Sequence, residues 1–399
     1  MEKTVGRTDN RWLILISCII INLCLGAGYA WSVFQGPLMS EFGWTTAQAS
    51  LAFSISFAMV PVAMIIFGPR QDKEGPRKIT FVGGLLFGIG MILTGFVKNL
   101  PMLYITYGII LGFGIGMAYG CTTATTVKWF PDKKGLAGGL TAAGFGSGAV
   151  VLAPLAVSLI DNYGVLNAFK FLGVGLLLII CAASLVLKSP ATLADSTSVG
   201  GKNFKPFEMM KTSSFWLLWV VYVFGCLAGL MIIGHAASIA SEYINLSKEI
   251  ATLVVSLVAL ANTGGRVFWG MVSDKIGRYS TVMVMFMASG LGLLLLFLQM
   301  QWALSILGIL LIALSFGGFL GTFPGITAEN WGSKYSGSNY GYMFTAYGLA
   351  SIFGPRMAAV IKESSGGDYG MAFLVSILLS VVGIILVFIF KKKKESITA

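Results

Sequence analysis

Charged residues are scarce in this chain of 399 residues, and the scarcity argues against a soluble fold. Asp, Glu, Lys and Arg together make up 11% of the sequence, whereas hydrophobic residues make up 56% and the mean hydropathy is +0.84. A soluble chain of this length would need far more polar surface to cover its core. The composition therefore indicates a membrane protein.

Histidine and clustered catalytic groups are also scarce. His235 is the only histidine, the sequence has no HExxH motif, and none of the 16 Asp and Glu residues falls in the middle third of an apolar run. An enzyme inside the membrane would need such groups close together. We therefore predict that the protein is not an enzyme. A sensor would normally carry a soluble signalling domain, and the longest polar segment is too short for one.

The five cysteines all lie within apolar runs and lack the spacing of metal ligands. We interpret them as small apolar residues that take part in neither disulfides nor metal sites. The sequence predicts no metal and no cofactor. The cysteines are Cys18, Cys24, Cys121, Cys181 and Cys226.

Long apolar runs are abundant, and runs of about 18 or more residues are typical of membrane-spanning helices. Most of them are rich in glycine, which lets helices approach closely in a bilayer. The sequence predicts an all-α membrane protein with twelve transmembrane helices in two pseudo-symmetric six-helix bundles. The predicted spans are 12–34, 46–68, 79–97, 101–124, 136–159, 165–187, 214–238, 250–272, 280–298, 302–326, 338–362 and 369–390.

The net charge of +11 follows from the distribution of basic residues along the chain. If the N-terminus is cytoplasmic, most of the 27 Lys and Arg residues fall in cytoplasmic segments, among them the four lysines at 391–394. This positive-inside bias predicts a multi-pass protein of the cell inner membrane or plasma membrane with both termini cytoplasmic. We interpret the lysine tail as a topology anchor, and we predict no nucleic-acid partner.

An internal repeat divides the chain into two related halves. Trp129 and Trp331 are separated by 202 residues, and the same offset joins further matched positions. We predict an N-terminal six-helix bundle over 1–190, a cytoplasmic linker over 191–213 and a C-terminal six-helix bundle over 214–399. Two parallel halves of six spans are a known transporter plan, with the substrate site between them. The other matched pairs are Asp72 and Asp274, Gly75 and Gly277, Gly135 and Gly337, Gly139 and Gly341, and Gly146 and Gly348.

Two short charged segments recur at equivalent places, after the second and eighth spans. They contain Asp72 and Gly75 in the first half, and Asp274, Gly277 and Arg278 in the second. An aspartate at a helix end, followed by a glycine turn and a basic residue, can bridge neighbouring helix termini. We predict that these segments act as gating loops on the cytoplasmic face.

The segments "GPRQDKEGPR" (68–77) and "GMVSDKIGRY" (270–279) resemble the loop signature of the major facilitator superfamily. Four further segments look like the oxalate:formate antiporters and the related monocarboxylate transporters: "NRWLILISCIIINLCLGAGYAWSVF", "KWFPDKKGLAGGLTAAGFGSG", "GGRVFWGMVSDKIGRY" and "NYGYMFTAYGLASIFG". The resemblance implies the major facilitator fold, alternating access and transport of small carboxylates.

Arg266 lies within the eighth predicted span, where a guanidinium costs about 2.5 to 3.5 kcal/mol on insertion scales. One interpretation is that the side chain snorkels to the cytoplasmic interface, about 9 Å away for six helical residues. The other is that it anchors an anionic substrate, since its planar fork suits a carboxylate. The resemblance favours the anchor, because the substrate-binding arginine of the family falls on Arg266.

The sequence departs from its relatives at two positions. The oxalate branch carries a lysine in span 11 where this chain has Tyr347, and animal-type monocarboxylate transporters have an aspartate where this chain has Asn262. The change at Asn262 removes the usual proton-carrying carboxylate. His235 can change charge near neutral pH, so it becomes the candidate for substrate contact or proton coupling. The alternative is a packing histidine bonded to a backbone carbonyl.

Aromatic residues supply the rest of the predicted site. Tyr29, Tyr119 and Tyr347 place phenols within apolar spans, where a hydroxyl can bond an anion without adding charge. Phenylalanines are candidates for the apolar walls, with ordinary packing between helices as the alternative for each of them. Arg356 is interpreted as a snorkelling residue near Lys362. The phenylalanines are Phe145, Phe316, Phe323 and Phe344.

These observations predict a secondary active transporter of small monocarboxylates, of the lactate or pyruvate type, working by proton symport and alternating access. The alternative is a carboxylate exchanger such as an oxalate:formate antiporter. The predicted partners are the monocarboxylate, the proton and the lipid bilayer, and the predicted oligomeric state is a monomer.

Overall fold

The structure, a computed structural model, describes residues 10–190 and 203–398 of the chain. In this described part, twelve helices are long and apolar enough to cross a membrane, which confirms the predicted all-α membrane fold. The helices, numbered α1–α12 in chain order, are Arg11–Phe42, Gln48–Glu74, Pro76–Thr94, Leu100–Trp129, Lys134–Tyr163, Val165–Ser184, Ser213–Tyr243, Glu249–Ile276, Arg278–Leu298, Trp302–Trp331, Ser336–Ser364 and Gly370–Lys392.

The two repeated charged segments are tight turns between long helices. Gly75 ends α2 with a φ of +88°, and Gly277 ends α8 with a φ of +84°. Glycine is favoured at these positions because other residues rarely adopt a positive φ. The helices extend further than the hydrophobic pattern predicts, so that Asp72 and Asp274 lie in the last helical turn and Arg278 is the first residue of α9.

Helix α1 is interrupted by a 3-10 turn, Gly26–Ala30, part of the way along its length. Gly26 packs closely against α5, because a Cβ atom built at Gly26 would lie 2.8 Å from the Cα atom of Gly148. The turn carries Tyr29, whose hydroxyl lies 3.4 Å from the hydroxyl of Tyr347 on α11. The break in α1 therefore brings a phenol of the first half to the second half.

Helices α1–α6 and α7–α12 form the two six-helix bundles, and these halves meet where α5 packs on α8 and α2 packs on α11. Three of the four repeated glycine pairs lie along these two contacts, and the fourth, Gly75 and Gly277, forms the turns. A Cβ atom at Gly139 would overlap the backbone oxygen of Arg266, and one at Gly341 would lie 3.0 Å from the carbonyl carbon of Met64. The repeat thus has a packing cause, since small residues let helices of opposite halves approach closely.

The domain boundaries remain predictions, because residues 191–202 of the predicted linker lie outside the described part. The end of the linker that is described packs on the second half: Trp331 Nε1 donates to Thr212 Oγ1 at 3.3 Å. Just before the predicted linker, Trp129 Nε1 donates to the Lys188 carbonyl at 2.7 Å. The matched tryptophans therefore hold both ends of the connection between the halves at the same end of the molecule. We call this end of the molecule, which includes the loops after α2, α4, α8 and α10, the terminal face.

Candidate substrate-binding site

A cavity lies between the two halves, and the structure brings six of the predicted site residues together around it. The side chains come from α1, α4 and α5 of the first half and from α8 and α11 of the second. The cavity is narrow, with a volume of about 20 Å³, close to the minimum that one water molecule needs. A ligand larger than a water molecule therefore enters only after the walls move apart. The six residues are Tyr29, Tyr119, Phe145, Arg266, Phe344 and Tyr347.

Arg266 lies well inside helix α8. The helix continues to Ile276, ten residues beyond Arg266, which places the arginine about 15 Å from the helix end. The residue is 1% exposed, and its guanidinium lies in the interior between the two halves. This burial favours the anchor over snorkelling.

The guanidinium of Arg266 is only partly paired. Its Nη1 atom donates to the Ala142 carbonyl on α5 at 2.5 Å, a contact between the two halves. Among the described residues, no hydrogen-bond partner exists for its Nε and Nη2 atoms, which are buried. Two buried donors on one edge of a cation are an unfavourable arrangement unless an anion binds there.

Aromatic rings form most of the walls around this cation. Tyr29 stacks on Phe57 with ring centroids 5.0 Å apart, and Tyr119 meets Phe145 edge-on at 5.3 Å. On the opposite side, Phe344 stacks on Tyr347 at 4.8 Å. Among the described residues that line the cavity, Arg266 alone carries a charge. The site thus combines one fixed positive charge with phenol hydroxyls and apolar surface.

His235 is not among the described residues that line this cavity. Its Nε2 atom lies 2.9 Å from the Pro355 carbonyl oxygen, and its Nδ1 atom lies 3.3 Å from the Tyr369 hydroxyl. These contacts join α7 to α11 and α12 within the second half. The geometry matches the alternative of a packing histidine bonded to a backbone carbonyl.

Two predicted wall residues are buried elsewhere in the second half. Phe316 packs against Gly229 of α7, and Phe323 stacks on Tyr222 with ring centroids 3.9 Å apart. Neither belongs to the described cavity lining, which fits the alternative of ordinary packing between helices. Hydrophobicity alone does not distinguish a ring that faces a cavity from one that packs between helices.

Asn262 and Arg356 also lie outside the cavity lining as described. Asn262 is one helical turn before Arg266 on α8, and its side-chain oxygen is buried without a described partner. Arg356 is exposed on α11, in keeping with its interpretation as a snorkelling residue. In the described part of the chain, no three His, Cys, Asp or Glu side chains come close enough to hold a metal ion.

Asp72 joins the halves at the terminal face. Its carboxylate accepts hydrogen bonds from the backbone N–H groups of Gly337 and Ser338 at 3.1 and 2.8 Å, at the N-terminus of α11. The Ser338 hydroxyl also donates to it, at 2.7 Å. Lys128 of the first half pairs with the same carboxylate at 2.9 Å, and both side chains are about 95% buried.

Asp274 makes the equivalent contact in the other direction. It accepts from the backbone N–H groups of Gly135 and Leu136, at 3.0 and 2.8 Å, at the N-terminus of α5. Its cation is Arg278, at 2.7 Å, which also pairs with Glu329 at 3.3 Å. Each aspartate therefore binds the helix N-terminus of the opposite half, where the helix dipole favours negative charge. These contacts join the two halves at the terminal face, and a gating role for the two segments remains a prediction.

Sequence reasoning missed four apolar lining residues and two polar partners. The Ala142 carbonyl leaves no signal in a sequence, because every residue carries a carbonyl. Lys128 is visible as a basic residue, but its pairing with Asp72 depends on how α2 and α4 pack. The apolar lining residues are Phe57, Val60, Ile115 and Leu320.

Sequence comparison identifies the relatives of this chain. The profile of the Major Facilitator Superfamily matches residues 16–355 and, in a second alignment, residues 227–398. The oxalate:formate antiporter of Oxalobacter formigenes is 32% identical over 387 residues, which cover 95% of this chain and 91% of that protein. Monocarboxylate transporter 12 of Xenopus laevis is 24% identical, covering 94% and 87% of the two chains.

Solved structures with the same fold include transporters for other substrates. The proton:xylose symporter XylE bound to 6-bromo-6-deoxy-D-glucose aligns with a TM-score of 0.76 at 16% identity, covering 95% of each chain. The major facilitator transporter FucP in the outward conformation aligns with a TM-score of 0.73 at 15% identity, covering 96% and 99%. At these identities the likeness concerns the fold alone. The fold and the superfamily match agree: the chain belongs to the major facilitator superfamily, as a multi-pass membrane transporter related to the oxalate:formate antiporter and the monocarboxylate transporters.

Proposed function

We propose that the protein is a secondary active transporter of small monocarboxylates such as lactate and pyruvate, coupled to protons. The observation that carries the proposal is the partly paired guanidinium of Arg266 in a cavity between the halves. A carboxylate bound across its Nε and Nη2 atoms satisfies both donors at once. The methyl group of the acid then meets the aromatic walls.

The charge of the site selects for one carboxylate. Arg266 neutralises a single negative charge, and Tyr347 offers a hydroxyl where oxalate transporters of this branch offer an ammonium group. A second carboxylate left unpaired in a dehydrated cavity costs several kcal/mol even after relaxation. Because about 1.4 kcal/mol corresponds to a factor of ten in affinity, the affinity for oxalate should be at least a hundredfold lower than that for lactate.

The two aspartate contacts support alternating access. Asp72 and Asp274 hold the halves together at the terminal face, while Arg266 contributes a third contact between the halves through the Ala142 carbonyl. A carboxylate at Nε and Nη2 would share the guanidinium with that carbonyl at Nη1, so substrate binding and the α5–α8 contact are linked. We assign the terminal face to the cytoplasm and both termini with it, and we propose a monomer in the cell membrane.

Proton coupling removes an electrical cost. A monocarboxylate that moves alone against an inside-negative potential costs about 2.3 kcal/mol per 100 mV, and a proton that moves with it makes the step electroneutral. His235 lies outside the cavity and Asn262 carries no charge. The substrate carboxylate itself is therefore the better candidate for the proton carrier.

Uptake by proteoliposomes under imposed gradients tests the proposal. With acid outside, labelled lactate should accumulate above its equilibrium level, and the accumulation should collapse when a protonophore removes the pH gradient. A membrane potential without a pH gradient should drive little uptake. Accumulation that depends on the potential and not on pH would contradict proton symport.

Carboxylate exchange is the second candidate, favoured by the 32% identity to an oxalate:formate antiporter. Preloaded vesicles separate the two mechanisms. An exchanger takes up labelled substrate only when a second carboxylate is inside to leave, whereas a symporter fills empty vesicles. Rapid uptake into empty vesicles is the expected result.

A further inference from the structure

Two residues one turn apart on α5 lie against the buried guanidinium of Arg266. The Ala142 carbonyl accepts the bond from Nη1 of Arg266 at 2.5 Å. One turn further along the same helix, Gly146 faces the other part of the side chain: a Cβ atom built there would lie 3.2 Å from Cζ of Arg266 and 3.4 Å from Nε. Because this Cβ atom would be closer to Cζ than to Nε, the hydrogen of Gly146 faces the flat side of the guanidinium, beside the Nε atom that the protein leaves unpaired.

We infer that Gly146 is a positioning residue of the carboxylate site and that its lack of a side chain sets the orientation of Arg266. The inference rests on the proposed function and names a further residue for it. With Nη1 bonded to the Ala142 carbonyl, the contact with Gly146 limits where Nε and Nη2 can lie. Gly146 provides that contact and leaves the two donors free to meet the substrate.

A single methyl group at this position disturbs the site. The nearest atom to a Cβ at Gly146 is the Thr263 hydroxyl oxygen, at 2.8 Å, which is closer than real Cβ contacts. Thr263 is β-branched and therefore stiff at χ1, and its hydroxyl has no described hydrogen-bond partner. The guanidinium must yield as well, by a few tenths of an ångström. It then presents its donors at a wrong angle to the carboxylate.

The repeat provides a matched control. Gly348 is the equivalent of Gly146 in the second half, on α11, which packs on α2 as α5 packs on α8. A Cβ atom at Gly348 would meet one atom only within contact range among the described residues, Cγ of Pro61 at 3.5 Å, an ordinary van der Waals distance. Gly348→Ala therefore makes the same chemical change on the equivalent helix without touching the cation.

The test is uptake kinetics of the two variants in proteoliposomes, with lactate and with formate. Because Gly146→Ala misplaces a binding group, it should raise KM about tenfold and change Vmax by less than about twofold. The KM increase should be equal for the two acids, since they share only the carboxylate. Gly348→Ala should leave both KM values unchanged.

If Gly146→Ala does not accumulate in the membrane, the double variant Gly146→Ala/Thr263→Ala takes its place, because it removes the closest contact and keeps the one to Arg266. It is compared with Thr263→Ala alone. An unchanged KM, or a loss of Vmax without a change in KM, overturns the inference. Wild-type protein that moves neither acid overturns the proposed function instead, so the two failures are distinguishable.

Discussion

Substitution of Arg266 is the sharpest perturbation of the proposed site. The residue is 1% exposed, makes one hydrogen bond to the protein, and keeps Nε and Nη2 without a described partner. Two charge-assisted bonds to a carboxylate contribute about 1.5 to 3 kcal/mol each. Arg266→Gln should therefore weaken binding by about 3 to 6 kcal/mol, which is a factor of roughly a hundred to ten thousand.

The assays are uptake in proteoliposomes and thermal unfolding of the purified variant. Arg266→Gln should abolish uptake at substrate concentrations near the wild-type KM, and Arg266→Lys should restore little, because a point charge cannot reproduce the two-point contact. The melting temperature of Arg266→Gln should be no lower than that of the wild type, since a partly paired buried cation disappears. Normal uptake by a folded Gln variant would refute the anchor.

Three further outcomes are expected. Tyr347→Lys adds a second cation to the cavity, so labelled oxalate should become a substrate; no gain in oxalate uptake would weaken the charge-count argument. Asp72→Asn leaves buried Lys128 without its charged partner, which should lower the stability of the protein by about 3 to 5 kcal/mol. It should also lengthen spin-label distances across the terminal face more than Asp274→Asn does, because in the latter variant Arg278 still pairs with Glu329. His235→Gln should keep pH-driven lactate accumulation, and loss of that coupling would return the proton role to His235.

The fold was accessible from the sequence because two strong signals coincide. Twelve long apolar runs fix the number of helices, and the offset of 202 residues pairs the halves. Three of the four matched glycine pairs lie along the contacts between halves, so the repeat also marks the interface. The ends of the helices were harder to predict from the sequence. The charged segments after Phe67 and Trp269 are still helical, although they no longer follow the apolar pattern.

The site was accessible where a residue contradicts its surroundings. Arg266 in an apolar run and phenols such as Tyr119 are conspicuous, and these do line the cavity. His235 is equally conspicuous, but rarity does not tell which way a side chain points, and it faces Pro355 instead. Phe57 and Phe316 have the same hydrophobicity, so that only the packing of the helices decides which of them faces the cavity.

The most direct test of the account is competition for lactate uptake. Proteoliposomes with acid outside take up labelled lactate in the presence of unlabelled pyruvate or oxalate at equal concentrations. If one buried cation selects one carboxylate, pyruvate should inhibit strongly and oxalate should barely inhibit. A protein that takes oxalate and formate in preference to lactate would contradict the account. Bound oxalate needs a second cation, and the described residues that line the cavity with Arg266 do not provide one.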